Sequence, residues 1–595
     1  MESKPRQVRA AMSRAFAGTL FALGLSCPLA AGAACSIKTM DLPVRMVGQR
    51  AIATVGINGT QVPLIVDSGM FFSMLTEAAA AQLNLKLGPL PRGLGVRGLT
   101  GKVEAQATTV SHLGLVKAEI PDVQFIVGGN EPGAGAMGYL GRNLLSFTDM
   151  EYDLAHGVIR FVFPNEGCDS ANMAYWASPE APVASLDLQR QRGVPTPEIR
   201  GKIELNGHKV LALFDSGAHT LVSLAAAHRV GVADGDMTPD GQAAGLGRGW
   251  AKQWTASFDK VDLGGEAVLH NYLAVVDFDM DEDMLIGIDF FLSHHIYISK
   301  KQSRMYFTYN GGPVFALNHG DPGSPGAVDT AGDELKADEL ARRGAASLSR
   351  HELAAALMDL DRACALEPAN ADFLATRATI HLAQRHSDKA LADLDAALRL
   401  DPAQDRARMQ RASLHGAPAQ RDKALEDLAV LDKRLPPQSN LRDWMAQLYE
   451  AFEMPAQALA QWNLWIPAHP HDVELGAAYN SRCWNRAQLG IELEQALDDC
   501  DAAVDTDPKN ASYLDSRGWV YLRMGKLRKS LDSFDRALAI QSDAVSSLYG
   551  RGLTHLRLGE AAPAKADLEA ARRIEPAVDA RLRQSGLPTA PESAP

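Results

Sequence analysis

Two closed β-rich units, each with a short helix, followed by an all-α solenoid are expected from three features of this 595-residue chain. An apolar run broken by Asp-Ser-Gly occurs twice, at Asp67 and Asp215, with similar sequence before and after each copy. From Glu334 onward, prolines recur with a period of 34. Between the two patterns, residues 319–333 are rich in Gly and Pro and have no hydrophobic period, which marks a linker. A chain of this length holds about four domains at roughly 150 residues each, which excludes one compact fold. Hydrophobic residues at 46% and charged residues at 22% exclude wholesale disorder. A net charge of −13 argues against a general nucleic-acid binder, whose affinity rests on neutralising phosphates.

The N-terminus reads as an address. Lys4, Arg6, Arg9 and Arg14 precede the apolar stretch Ala15 to Leu25, and small residues up to Ala34 follow. This is the pattern of a cleavable signal peptide over residues 1–34, with cleavage near Ala33 or Ala34. Eleven apolar residues fall short of the ~20 a spanning helix needs. Neither Cys27 nor Cys35 has the Leu three residues earlier that a lipidation site would carry. The mature chain is expected to be exported, periplasmic or secreted, with no membrane span.

Export changes how the cysteines read. Six are too few for a disulfide scaffold, but an oxidising compartment permits a bridge between Cys35 and Cys168, tying a first strand to a last one. Cys364, Cys483 and Cys500 fall in helical sequence and are expected as small core residues. There is no C-x-x-C, no zinc spacing, and Ala355 stands where H-E-x-x-H needs its second His. No metal and no cofactor is expected.

The chemistry-bearing motif is duplicated. Leu64-Ile-Val-Asp67-Ser-Gly69 is an apolar strand breaking at a turn, and Leu211-Ala-Leu-Phe-Asp215-Ser-Gly217 repeats it. Asn58-Gly59 precedes the first copy as Asn206-Gly207 precedes the second. Downstream come Tyr139-Leu-Gly-Arg-Asn-Leu-Leu145 and Leu285-Ile-Gly-Ile-Asp-Phe-Phe291, each followed by strand-like sequence. This ordered set resembles the retropepsin-like aspartic peptidases over residues 36–165 and again over 185–312. The resemblance implies that Asp67 and Asp215 are catalytic, that Ser68 and Ser216 hold the two loops, and that Gly69 and Gly217 let them approach. Two carboxylates a few ångströms apart cannot both ionise and share one proton, so the charged member can activate water while the other polarises a carbonyl. Two arrangements satisfy this: a pseudo-dimer within one chain, or a homodimer in which each half pairs with its own copy.

Glycine-rich stretches follow each motif at equivalent places: Gly93, Gly95 and Gly98, then Gly245, Gly247 and Gly249. Although the first matches G-x-G-x-x-G, it does not lead from a strand into a helix, and no P-loop fits either. The family implies flaps that close over a bound peptide; a bare flexible turn is the alternative. Two departures stand out. Met70 occupies a place where the family has Ala, while Ala218 conforms. The acid that the retroviral pattern sets four residues after its Asp is replaced by Phe71 and His219.

The last part is a repeat. Pro368, Pro402, Pro436 and Pro470 are 34 apart, Pro508 follows after 38, and Pro576 keeps the phase after Ser542. Ala356, Ala390, Ala424, Ala458, Ala496, Ser530 and Ala564 each lie 12 residues before these markers. Small residues at fixed places let two helices approach, and Pro then ends the second. This helix–turn–helix period resembles the tetratricopeptide repeat, in some seven units within residues 337–586. Such arrays commonly hold a peptide or protein partner. The Pro-rich tail, 587–595, is expected to be disordered. Two functions are compatible with the whole: an exported aspartic endopeptidase acting on peptide or protein substrates, or a non-catalytic peptide clamp built on the same fold.

Overall fold

The computed structural model describes residues 35–91, 94–178, 180–189, 191, 197–246, 249–278, 281–315, 335–417 and 420–591. The expected signal peptide, Gly93, Gly247, the linker 319–333 and residues 592–595 lie outside them. The chain divides into two compact units, Met1–Ala407 and Arg408–Pro595.

Each Asp-Ser-Gly half closes into a six-stranded barrel. In the first, Ala51–Ile57, Thr60–Val66, Gly138–Leu140, Met74–Leu75, Ala118–Gly128 and Ala105–Leu115 neighbour one another in that order, and the last pairs back onto the first. The second repeats this with Arg200–Leu205, His208–Phe214, Met284–Ile286, Leu221–Ser223, Glu266–Val276 and Trp250–Leu263. Both open with a hairpin whose turn is Asn-Gly. Asn58 and Gly59 take φ values of 49° and 86°, and Asn206 and Gly207 take 49° and 76°. Two successive left-handed residues are what a two-residue hairpin turn requires, and Asn and Gly tolerate them best. Along His208–Phe214, Val210, Ala212 and Phe214 point inward, the alternation that fills a barrel interior.

A third sheet makes the two barrels one body. Its strands run in the order Ala184–Asp187, Arg304–Tyr309, His294–Ser299, Asp149–Asp153, Val158–Pro164 and Ile37–Met46. At its centre the two halves meet directly: Met150 lies opposite Ile298 and Tyr152 opposite Ile296. A disulfide joins Cys35 to Cys168 with 4.4 Å between their Cα atoms, holding the start of the edge strand. The same central pair carries a buried charge cluster. Glu151 accepts from His295 at 2.8 Å, and also from Arg160 and the Tyr175 hydroxyl. Burial alone would raise Glu151, but these partners outweigh it and hold the carboxyl below its usual range.

Among the described residues about fifteen helices follow, arranged as seven hairpins and a final short helix, Val578–Gln584. Ala356, Ala390, Ala424, Ala458, Ala496, Ser530 and Ala564 are all fully buried. At Gly344, Gly518 and Gly552 an added Cβ would lie 2.2–2.9 Å from a side-chain atom of the partner helix, so the absent side chain sets the helix spacing. A clamp that the sequence reading missed recurs with the same period. Arg343, Arg377, Arg411 and Arg551 on first helices each grip an Asp on the second, at Asp359, Asp393, Asp427 and Asp567, through paired N–H···O bonds of 2.6–2.9 Å.

Three expectations need correction. Cys483 and Cys500 are not separate core thiols but a disulfide, because they face each other across one hairpin with Cα atoms 5.5 Å apart. The linker 319–333 is expected to separate the two halves, yet in the first helix, Ala337–Ser349, Ala345 and Ala346 are small enough to be buried in the barrels' own core. The tail is not disordered where it is described, since Leu587 and Ala590 are buried. Among the described residues no helix is long and apolar enough to cross a membrane.

Two outcomes are expected. Asp427→Ala leaves Arg411 and Arg408 without their buried carboxylate and should cost about 3 kcal/mol in urea unfolding followed by helical ellipticity. Because folding depresses Glu151, its contribution to stability is full above the unfolded carboxylate value and fades as pH falls through the folded one. The melting temperature should therefore fall in acid, and Glu151→Gln should flatten that dependence; an unchanged profile would refute the cluster's role.

Candidate active site

Parallel pairing brings each Asp to the same place in its barrel. Thr60–Val66 lies beside Gly138–Leu140, and the Asp67 N–H donates to the Leu140 carbonyl at 3.0 Å. His208–Phe214 lies beside Met284–Ile286, and the Asp215 N–H donates to the Ile286 carbonyl at 2.9 Å. The two turns then meet. The Ser68 N–H donates to Ser216 Oγ at 3.1 Å, and the Ser216 N–H donates to Ser68 Oγ at 2.9 Å. Each hydroxyl passes its own proton to the strand opposite, Ser68 to the Phe214 carbonyl at 3.2 Å and Ser216 to the Val66 carbonyl at 3.0 Å. Four buried polar groups are satisfied reciprocally across the pseudo-two-fold, within one chain.

This grip brings the carboxylates together. The Gly69 N–H donates to Asp67 Oδ1 and to Asp215 Oδ1, both at 3.0 Å. A Cβ on Gly69 would lie 2.2 Å from Asp215 Oδ2, and one on Gly217 would lie 2.3 Å from Asp67 Oδ2, so only glycine fits at either place. Burial first, and then the Asp215 charge, hold the Asp67 carboxyl well above its usual range. Burial raises Asp215 too, but N–H bonds from Gly217 and Gly69, the proton offered by Asp67 and the Arg142 charge all favour its ionised form. Both carboxyls therefore stay above their usual range, and the pair holds one proton between them.

The loops are not mirror images. The Arg142 N–H bonds the Met70 carbonyl at 2.8 Å just as the Ile288 N–H bonds the Ala218 carbonyl at 2.8 Å, which sets Met70 equivalent to Ala218. A Cβ on Gly141 would strike the Phe72 backbone, and one on Gly287 would strike His219, so Phe72 is the counterpart of His219. Phe71 is thus a one-residue insertion, exposed, with the Arg142 guanidinium 5.7 Å above its ring. Met70 keeps the backbone geometry and donates its N–H to Asp67 Oδ1 at 2.7 Å. His219 is pushed down to about 4 by burial and by Arg50, so it is neutral near pH 7.

Arg142 draws its acid from the other half. Its Nη2 reaches Glu198 Oε1 at 3.0 Å and its Nε reaches the Met70 carbonyl at 3.3 Å. Glu198 lies in the segment leading into the second barrel, and no signal within the first motif pointed to it.

The flap glycines fall into three groups. Gly98, Gly245 and Gly249 sit where the two flap tips touch: a Cβ on each would come within 1.8–2.9 Å of Leu246, Leu99 or Thr100. Gly95 has open space around it, and Gly93 and Gly247 are outside the described residues. The tips are joined by the Thr100 N–H to the Leu246 carbonyl at 3.4 Å and the Thr100 hydroxyl to the Gly245 carbonyl at 3.3 Å. Leu99 packs in one apolar cluster with Ala218 of the second Asp loop, so the first flap closes over that loop.

The aspartyl protease family matches residues 53–144 and 201–290, one match per barrel. The two barrels are aspartyl-protease-like domains. Among solved structures, a tetratricopeptide repeat protein from Parabacteroides merdae is 19% identical, covering 42% of this chain and 98% of its own, with a TM-score of 0.31. YrrB, a TPR protein with an unusual peptide-binding site, is 16% identical over 36% of this chain and 92% of its own, with a TM-score of 0.22. No curated protein matches the chain. The repeat array following the two aspartyl-protease-like domains is supported by the phased hairpins themselves.

Ser68→Ala should cost about 2 kcal/mol, because it strands the buried Ser216 N–H and removes a donor from the Phe214 carbonyl. Thermal and urea unfolding of the full chain measure this, and a change within error would show that the grip is dispensable.

Proposed function

We propose that this chain is an exported aspartic endopeptidase, in which the repeats bring a protein substrate or partner to the dyad. The observation that carries the reading is the shared environment of Asp67 and Asp215, bridged by one Gly69 N–H and holding both carboxyls above their usual range. In the reaction, water attacks the peptide carbonyl and gives a proton to the Asp215 carboxylate as Asp67 donates its own to the carbonyl oxygen. The tetrahedral diol then collapses: the C–N bond breaks, the amine leaves with the proton from Asp215, and Asp67 takes one back from the diol. The flaps exclude bulk water during these steps. Export is proposed from the basic, apolar and small-residue order of residues 1–34; the two disulfides are compatible with an oxidising compartment.

A second reading is a non-catalytic peptide clamp. What favours it is Met70, whose long side chain stands where the second loop has only Ala218.

The mature chain incubated with an unfolded protein, with cleavage read by mass spectrometry, separates the two. Asp67→Asn and Asp215→Asn should each lower cleavage by about 10³-fold while the fold persists. Activity should vanish as pH rises through the pair's upper value and as it falls through its lower one, with both carboxyls raised above the usual range, a bell belonging to the pair. Met70→Ala should preserve or raise the rate. A folded wild-type chain that cuts nothing at any pH would leave the clamp.

A further inference from the structure

The tail beyond the last hairpin is built into the repeats. Helix Val578–Gln584 ends at Gly586, whose φ of +76° lets the Leu587 N–H reach the Leu582 carbonyl at 2.9 Å. From there the chain turns back along the array. The Gln584 amide donates to Glu453 of the fourth hairpin. Gly586 passes so close to the fifth that a Cβ would lie 2.7 Å from the Gln488 carbonyl. Arg523, at the end of the first helix of the sixth, donates to the carbonyls of both Gln488, at 3.1 Å, and Gly586. On the seventh, the Tyr549 hydroxyl accepts the Ala590 N–H at 2.9 Å and donates its own proton to Asp579. Leu587 and Ala590 are 4% and 5% exposed, in one apolar cluster with Trp519, Leu522 and Tyr549.

These contacts have the character of ligand recognition. The segment from Leu587 has no helix or strand of its own, so only its contacts hold it. The polar anchors, Arg523 on a carbonyl and Tyr549 on an N–H, read backbone rather than side chains. Pro588 and Pro591 have no N–H to satisfy, which leaves few donors needing partners in the apolar surroundings. Small and apolar side chains, Leu587 and Ala590, fill the remaining space. The polar contacts on the array, at Glu453, Gln488, Arg523 and Tyr549, belong to the first helices, or to the turns that end them, of four successive hairpins, and second-helix residues such as Phe534 and Leu568 complete the apolar cluster beneath.

We propose that this first-helix face between Leu441 and Leu558 is a peptide-binding groove kept shut by the chain's own C-terminal segment, and that its external ligand is an extended, proline-containing apolar peptide of the Leu587-Pro-Thr-Ala-Pro591 type. The tail is tethered beside its site, so an external peptide meets a competitor at high effective concentration. Apparent affinity is lowered by the fraction of chains whose groove is open. The groove then engages a partner only when the tail is displaced or removed. This holds whether or not the dyad cleaves.

The test uses the full chain and a fluorescein-labelled peptide of residues 585–591, read by anisotropy. Leu587→Glu with Ala590→Glu puts charges into the apolar cluster and frees the tail while leaving every groove residue in place. The labelled peptide should bind this variant at least about 10-fold more tightly than the wild-type chain, and Arg523→Gln in the variant should abolish the gain. Equal binding to both chains, or none to a variant whose ellipticity and melting match wild type, would overturn the proposal. A variant that dimerises without taking up peptide would overturn it in favour of a second copy as occupant. Hydrogen exchange on the unaltered chain decides the matter independently of the variant's folding. The Ala590 amide should be protected, and exchange at the rate of a free peptide would overturn the proposal.

Discussion

Everything at the dyad depends on two serines that bond across the pseudo-two-fold. Backbone loops carrying acidic side chains repel one another, and the buried N–H groups of Ser68 and Ser216 would each be costly if left unmade. Crossing the hydroxyls solves both difficulties at once: each N–H finds the opposite Oγ, and each Oγ finds the opposite strand's carbonyl. The arrangement works only when both halves are present in register. That register comes from the third sheet, where Asp149–Asp153 of one half runs against His294–Ser299 of the other. The glycines at 69 and 217 are a consequence of the same constraint, since the closeness that makes the carboxylates share a proton leaves no room for a Cβ.

A duplicated motif within one chain is free to lose its symmetry, and here it has. Asn143 accepts from Ser73 in the first half, whereas Asp289 accepts from Thr220 in the second. Arg142 has Ile288 as its counterpart, and its charge reaches both carboxylates, while the second loop meets a different guanidinium, Arg50, at the Gly217 carbonyl. The first loop has one residue more. A homodimer would have to break its symmetry by chance at each encounter. A chain that encodes two different loops gives the two carboxyls different surroundings in advance, which is a form of preorganisation.

Much of this was legible in the residues because it is periodic or local. The duplicated Asp-Ser-Gly context and the Asn-Gly turns are signals spanning a few residues each, and the 34-residue phase of Pro and Ala needs only counting. What escaped is what joins distant places. Glu198 serves Arg142 from 56 residues away and from the other half. The Phe71 insertion is visible only once Phe72 and His219 are seen against equivalent glycines. The Cys483–Cys500 bridge depends on which faces of two helices meet. The tail misled for a different reason: a Pro-rich composition normally cannot meet the entropy of ordering, yet here the array supplies the apolar surface and anchors from outside the segment. The Arg–Asp clamp is the exception that was present and unread, since Arg343, Arg377 and Arg411 share the period of the prolines.

The floor and the roof of the site are held very differently. Beneath the carboxylates, four reciprocal bonds are buried on all sides, and losing one strands its partner. Above them, the flap tips meet through half-buried bonds of 3.3–3.4 Å, whose donors and acceptors water can serve nearly as well when they part. Leu99 packs against the cluster of Leu221, Ala251, Val276 and Leu285, as Ala218 does, but that cluster is a small satellite of the barrel core. Opening the roof therefore costs much less than disturbing the floor, and local opening follows the lowest free-energy route. A site built this way can admit an extended chain without loosening the pair that would act on it, and the touching flap tips do not by themselves count against catalysis.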